Sequence, residues 1–535
     1  MGLRRLLLAA VLLAGLCWPA AAPASVDQES IMMDDDQLLY RGDHRRAQTL
    51  VRMKQLGVDS VRVTVLWQYV AKGANLSNAE IKRLKSSAAR TKARQQRRKF
   101  DPDDPRTYPR RNWDTYDNLV KEAAKLKMPV LFTVTGPGPS FGHRKAPKSQ
   151  RLNFYSFKPY PSRFREFVKA VGRRYSGTYK DENAIKQPLP RVSRWSLWNE
   201  PNQPGWLSPQ WEKRDGQLVP ASPALYRGLH KAGVDALTST GHGGDTLLLG
   251  ETAPLGSSKR GPRNAIRPVT FLRELVCLNA TGASYTGADA ARRNCGDFAT
   301  GPLKATAFAH HAYTKKRAPS SPVGNADELT MANLTTWGPL LDKLAAQSAG
   351  KLPSGLPILV TEFGYESNPP DPRNGIPLLK QAEYNQLGDF LAYNNPRVKG
   401  IAQFQLRDAS PQKKYKKSSR RYWLTYQSGL FTSRDKPKLA AHAYLLPFVV
   451  FPKGPNLLGF WGQLRFRPNA MADVAVIQWR PNPQAGWQQL AALPTSPLGF
   501  FTTSAAPPAP NAEYRAVYVT PGTGKIYAAS LATKP

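Results

Sequence analysis

The chain has 535 residues, 76 lysines and arginines against 38 aspartates and glutamates, and 41% hydrophobic content with 10% aromatics. That much apolar and aromatic surface excludes a disordered polycation, and a count of three cysteines excludes a disulfide-built miniprotein. The formal charge of +38 points to a basic surface or an anionic partner, with nucleic acid, anionic membrane, acidic wall polymer and acidic sugar all open.

Residues 1–24 pair Arg4 and Arg5 with an apolar run from Leu6 to Trp18 and the small-residue stretch Ala22-Pro23-Ala24, the pattern of a secretory leader. The run is too short for a membrane span, which takes about 20 residues, and no later segment is longer, so no integral membrane segment is expected in the mature chain. A lipoprotein leader with Cys17 as acceptor is the rival, against which stands the bulky Leu16 before it. The expected location is therefore extracellular. Loss of the leader would leave Cys277 and Cys295, an even count for an oxidising compartment, and predicts a disulfide rather than two buried thiols.

Short β-branched or apolar runs then alternate with longer helical patterns. Strands are expected at 30–33, 59–67, 128–136, 191–199, 245–251, 303–311, 356–362 and 397–408. Helices are expected at 44–57, 112–127, 162–175, 223–237, 326–347 and 380–394, where apolar residues recur at three- and four-residue steps. Eight such units predict an α/β fold, a (β/α)8 TIM barrel over 25–449. From 450 to 535 the runs become short and alternating, separated by Pro, Gly and Asn, which predicts a small all-β sandwich as an accessory domain. That domain packs on the barrel or binds carbohydrate through Trp461, Trp479 or Trp487.

In such a barrel the chemistry lies at the carboxyl ends of the strands, where the following loops build the open face. The fourth strand ends Trp198-Asn199-Glu200-Pro201-Asn202 and the seventh Thr361-Glu362-Phe363-Gly364. Two carboxyls on opposed strand ends are what glycoside hydrolysis needs, one to protonate the leaving oxygen and one to attack the anomeric carbon. Strict alternation would turn Asn199 and Glu200 to opposite faces, so both can serve one site only if the strand end is irregular. His311 and Tyr313 are two apart and share a face, whereas His310 points the other way. A two-histidine metal site is therefore not expected. Trp67, Trp206 and Trp211 are candidates either for sugar-stacking platforms or for core packing.

The WNEPN and TEFG strand ends resemble those of the clan A glycoside hydrolases, retaining barrel enzymes that include the cellulase-like family 5 and the xylosidase- and iduronidase-like family 39. The resemblance implies Glu200 as acid/base, Glu362 as nucleophile and Asn199 on the sugar 2-hydroxyl. It further implies a Tyr313 hydroxyl on the nucleophile, a His at position 311, and Arg62 on the nucleophile side of the site, for which a structural ion pair is the alternative. No cofactor is implied. Many members carry a Trp at the end of strand eight; here the run is Ala402-Gln403-Phe404-Gln405, so Gln405, Phe404 or a folded-back Trp423 would floor the subsite. A carbohydrate partner is expected, with a non-catalytic polyanion-binding envelope protein and a cell-wall transglycosylase as the competing readings. Nucleic acid is not expected. The basic stretches 81–100 and 413–421 follow strands two and eight, which predicts charge near the cleft and an acidic or wall-associated glycan, general surface basicity being the alternative.

Overall fold

The computed structural model describes residues 25–150, 157–184, 187–467 and 473–535; the leader expected at 1–24 lies outside them. Eight parallel strands close a barrel: β1 (Glu29–Met33), β2 (Ser60–Leu66), β3 (Val130–Thr135), β4 (Arg194–Leu197), β5 (Thr246–Thr252), β6 (Ala307–His311), β7 (Ile358–Phe363) and β8 (Val398–Phe404). Each pairs with its sequence neighbours and β1 pairs with β8, so the sheet has no edge. These are the eight expected strands, including the weakly patterned first. Two-residue periodicity sets their packing. Val61, Val63, Phe132, Val134, Trp195 and Leu197 join the large core shared with the helices, while Leu131, Leu248, Ala307, Ala309 and Leu359 form a small separate cluster from the other faces of their strands.

The expected helices form as Asp43–Gln55, Asp114–Lys125, Pro161–Arg174, Ser222–Ser239 and Leu378–Tyr393. The one expected over 326–347 is α-helical only at Trp337–Gln347, after a 3-10 segment at Met331–Thr336. Pro339 accounts for the late start, because a proline fits an α-helix only within its first turn. After β5 the crossover holds a helix at Pro268–Leu275, and the disulfide Cys277–Cys295 ties its end to the 3-10 turn Cys295–Thr300. A cross-link closing a loop of this size is worth about 3 kcal/mol.

The C-terminal part is a sandwich. A three-stranded sheet (Phe448–Gly454, Leu457–Gln463, Phe500–Ala505) faces a four-stranded one (Val474–Arg480, Gln488–Pro494, Glu513–Val519, Ile526–Ala529) across Phe448, Phe460, Phe501, Ile477, Tyr514 and Tyr518. It packs on the barrel. Trp461 and Phe500 cluster with Tyr393 of the last long helix, while Arg465 reaches Ser30 Oγ (2.7 Å) and Asp389 (3.1 Å). Ser30 and Asp59, the latter paired with Arg467, sit at the amino ends of β1 and β2, so the sandwich leaves the opposite end of the barrel open. Trp461 is thereby corrected as a sugar-binding candidate, being 1% exposed within this interface. Trp479 packs against the sandwich core, and Trp487 is stacked by the guanidinium groups of Arg480 and Arg515. Arg465→Ala should leave Asp389 as a buried unpaired carboxylate and cost about 3–5 kcal/mol, read as a fall in the urea midpoint. A loss below about 1 kcal/mol would mean that this interface contributes little.

Candidate active site

The carboxyl end of the barrel opens into a cleft of about 1280 Å³, lined among others by Asp35, Asn199, Glu200, Tyr313, Glu362 and Gln405. The strand ends bring together most of the residues singled out from the sequence. Regular pairing in β4 stops at Leu197; Trp198 (φ 74°) and Glu200 (φ 37°) then take left-handed backbone conformations. This is the irregularity that lets Asn199 and Glu200 both line the cleft, and strained backbone of this kind is held only where the surroundings over-determine it. Here they do: the Trp198, Asn199 and Glu200 amides donate to Val134 O (2.9 Å), Thr135 Oγ1 (3.0 Å) and Glu251 O (2.9 Å).

Arg62 is wholly buried in β2 and its fork organises the floor. Nη1 donates to Glu362 Oε1 (2.9 Å), Nη2 to Asn199 Oδ1 (2.8 Å), and Nε and Nη2 to the two oxygens of Glu251 (3.2 and 3.1 Å). Taking up the Asn199 oxygen leaves its amide nitrogen as the donor for a ligand. Tyr313 Oη donates to Glu362 Oε2 (3.0 Å), so both oxygens of Glu362 are held. Burial, and then the charge of Glu362, raise the Tyr313 phenol well above its ordinary range and keep it a donor. His311 sits between three carboxylates: Nδ1 lies 2.9 Å from Glu200 Oε1 and 3.4 Å from Glu362 Oε2, and Nε2 lies 3.0 Å from Glu251 Oε2. Burial alone would lower its pKa, but Glu362, Glu200 and Glu251 together raise it to about 10. The stability this contributes is complete below the unfolded value near 6.5 and is lost as pH rises through about 10.

Glu251 was not among the expected site residues. It is fully buried at the end of β5, where its carboxylate accepts from Arg62, from Thr133 Oγ1 (3.1 Å), from Thr361 Oγ1 (2.7 Å) and from His311. Desolvation would raise its pKa, yet Arg62 and His311 hold it well below the carboxylate range. A bulge puts it there. The β5–β6 register slips between Gly250 and Thr252, with Gly250 at φ 116° and Glu251 at φ 49°. A Cβ at position 250 would stand 2.5 Å from Ala309 O, so only glycine fits the kink.

Other expectations need correction. Trp67 is 0% exposed, stacked on Phe167 (5.7 Å, 13°) beside Phe164 and Phe141, and cannot meet a sugar. Trp211 is buried on a hairpin under Arg260, and Trp423 is buried with its indole N–H on Lys417 O; neither lines the cleft. Trp206 does line it, together with Tyr40, Phe404 and the half-exposed Tyr426, whose ring meets Phe404 edge-on at 5.1 Å. Gln405 also lines it, at φ 79°, and its side-chain oxygen accepts from Ser428 at 3.4 Å. The 81–100 insertion forms an exposed helix at Ser87–Lys99 that contributes no lining residue, and 413–421 contributes only Arg420; Lys315, Lys316 and Arg317 after β6 are the cations that sequence reasoning missed.

Ligand atoms of Glu200, His311 and Glu362 lie within 4.8 Å of one another. The donor set does not suit a metal ion, because His311 carries protons toward carboxylates on both nitrogens and a guanidinium abuts Glu362. His310 faces away, between Thr252 Oγ1 (2.6 Å) and Leu329 O (2.9 Å), and burial lowers its pKa to about 3. No helix among the described residues is long and apolar enough to cross a membrane.

Fold and site define a (β/α)8 barrel carrying an aromatic-lined cleft around two apposed glutamates. No protein-family model and no curated protein matches the chain. Among solved structures it is similar to a family 39 glycoside hydrolase from the gut symbiont Bacteroides cellulosilyticus WH2, at 13% identity and a TM-score of 0.46, over 90% of this chain and 81% of that one. It is also similar to a monomeric β-xylosidase from Caulobacter crescentus CB15, at 12% and 0.44, over 86% and 84%. A third likeness, to Bacteroides uniformis β-glucuronidase 2 at 11% and 0.42, covers 95% of this chain and 46% of that one, so this chain spans less than half its length. These likenesses concern overall shape and say nothing of activity.

Proposed function

We propose that the protein is a retaining glycosidase that hydrolyses O-glycosidic bonds of an oligo- or polysaccharide by double displacement. The observation that carries this reading is the apposition of Glu200 and Glu362, with one carboxylate oxygen of each within 4.8 Å of the other, at the floor of an open cleft. A retaining pair stands about 5–5.5 Å apart and an inverting pair about 6.5–9.5 Å, the latter leaving room for a water. Glu362, gripped by Arg62 and Tyr313, is the nucleophile: its oxygen bonds the anomeric carbon as the glycosidic C–O bond breaks, and the leaving oxygen takes the proton of Glu200. Water then adds to the anomeric carbon, the ester C–O bond to Glu362 breaks, and the water's proton passes to Glu200. In this reading Asn199 binds a hydroxyl of the reacting sugar, and Trp206, Tyr40, Phe404 and Tyr426, which line the cleft, offer aromatic surface to its C–H faces. A panel of activated aryl glycosides tests the reading; absence of turnover on every sugar would sink it.

The substrate in this reading is an anionic glycan met outside the cell, as the leader-like segment and the disulfide suggest. Lys315, Lys316, Arg317 and Arg420 are exposed on the cleft rim and have no ion-pair partner among the described residues. Among the acids of the lining, Asp36 pairs with Arg41 and Glu328 lies 3.9 Å from Arg267, while burial raises Asp35 to about 6 and Glu366 to about 7, so that their charge is full only above neutral pH. Replacing Lys315, Lys316 and Arg317 together by Ala should cut the ratio of kcat/KM on anionic over neutral glycosides about tenfold, at ~1 kcal/mol or less per exposed charge. It should also flatten the dependence of that ratio on salt. An unchanged, salt-independent ratio would rule out the anionic substrate.

A further inference from the structure

The two-glutamate cycle moves a negative charge. Before glycosylation the charge sits on Glu362; once Glu362 is esterified and Glu200 has lost its proton, it sits on Glu200. His311 Nδ1 touches both carboxylates, at 2.9 Å and 3.4 Å, so one cation can stay beside the charge wherever it resides. That requires an imidazolium that keeps both protons throughout, and its other nitrogen is fixed on Glu251 at 3.0 Å.

We propose that Glu251 is a positioning residue that locks His311 as an imidazolium between Glu200 and Glu362, so that the negative charge passes from one glutamate to the other without leaving its counter-cation. The proposal rests on the glycosidase reading for its consequence, though not for its geometry. The charge count supports it. Among the groups in direct contact, Arg62 and His311 supply two positive charges; an ionised Glu251 balances one, which leaves a single negative charge for Glu200 and Glu362 to share with one proton, while Asp35 acts on Arg62 and Glu362 without touching His311. Without Glu251 the Nε2 proton of His311 would lose the carboxylate it faces, and the imidazolium, unlike the guanidinium of Arg62, can shed that proton. The charged and titratable groups around His311 are Glu200 after β4, Glu251 on β5, Glu362 on β7, Arg62 on β2 behind the two glutamates, and on its own segment Tyr313 (6.4 Å between rings) and the oppositely directed His310; Asp35 after β1 acts on Arg62 and Glu362 rather than touching His311. Thr133 and Thr361 hold Glu251 from adjacent strands, so its carboxylate has no other place to turn.

The test has two arms. In the first, the full chain is labelled with ¹⁵N-histidine, the His311 resonances are assigned by their loss in His311→Gln, and the imidazole is titrated. His311 should stay doubly protonated to at least pH 8 in the wild type, and in Glu251→Gln it should be neutral at that pH. A wild-type His311 that titrates near its ordinary value overturns the proposal, whether or not any glycoside is turned over. In the second arm, kcat/KM on an activated aryl glycoside is followed against pH. Glu251→Gln should move the alkaline limb down by at least one pH unit and lower kcat about 100-fold with little change in KM, and Glu251→Asp should restore part of both. Equal losses at every pH with the alkaline limb unmoved would reduce Glu251 to a structural role and overturn the proposal. Should Glu251→Gln fail to fold, Glu251→Asp and the wild-type titration decide. Failure of turnover with His311 doubly protonated to pH 8 in the wild type and neutral there in Glu251→Gln counts against the glycosidase reading alone.

Discussion

Glu362→Gln is expected to lower kcat on activated aryl glycosides by on the order of 10⁵-fold, about 7 kcal/mol at 1.36 kcal/mol per tenfold. The amide keeps the size of the carboxylate and an oxygen for Arg62 Nη1, now 2.9 Å from Glu362 Oε1, but it cannot form the ester on which double displacement depends. The substitution also removes one of three carboxylates around His311 and one of two on Arg62. A circular dichroism melt should accompany the kinetics, since disturbing a buried pair can cost several kcal/mol of stability without touching the chemistry. A folded variant with more than about 1% of wild-type kcat, a loss under about 3 kcal/mol, would remove Glu362 from the nucleophile's role.

Glu200→Gln should divide substrates by their leaving groups. A dinitrophenolate departs without a proton, so the first step survives; an alkoxide needs the acid, and its release should slow by about 10³–10⁴-fold, the usual worth of general acid catalysis. The second step suffers with every substrate, because no base remains to activate water. Steady-state turnover of the dinitrophenyl glycoside should therefore show a fast burst and then a slow phase, with an apparent KM below that of the wild type. Uniform losses across leaving groups would assign Glu200 to binding instead.

Much of this site could be read from the order of residues, because a barrel strand shows its carboxyl end through the point where an apolar run gives way to polar residues. Glu200, Glu362, His311 and Tyr313 stand at such ends, whereas Arg62, within its strand, is implied only by the resemblance. Glu251 is not legible that way, and the reason is physical. With Leu248 turned into the barrel, simple alternation sends Gly250 inward and Glu251 out among the helices; the bulge at Gly250 reverses this, and nothing in the run DTLLLGE except the glycine announces it. Trp67 misled in the opposite sense. It stands at a strand end as a platform would, but it opens the short helix Trp67–Val70, and its ring lies where a Cβ at Gly138 or Gly142 would meet it at 3.0 and 2.5 Å. Those two glycines are the trace of its burial. Position after a strand predicts the basic stretch 81–100 near the cleft, yet a long crossover has the reach to carry the helix Ser87–Lys99 elsewhere, and charge alone does not fix where a loop goes.

Double displacement requires one covalent bond, between Glu362 and an anomeric carbon. Glu200→Gln mixed with a dinitrophenyl glycoside and quenched within the burst should gain the mass of one glycosyl residue, and proteolysis should locate that mass on the peptide containing Glu362. An unmodified protein under a full burst of dinitrophenolate, or an adduct on any other residue, would contradict it.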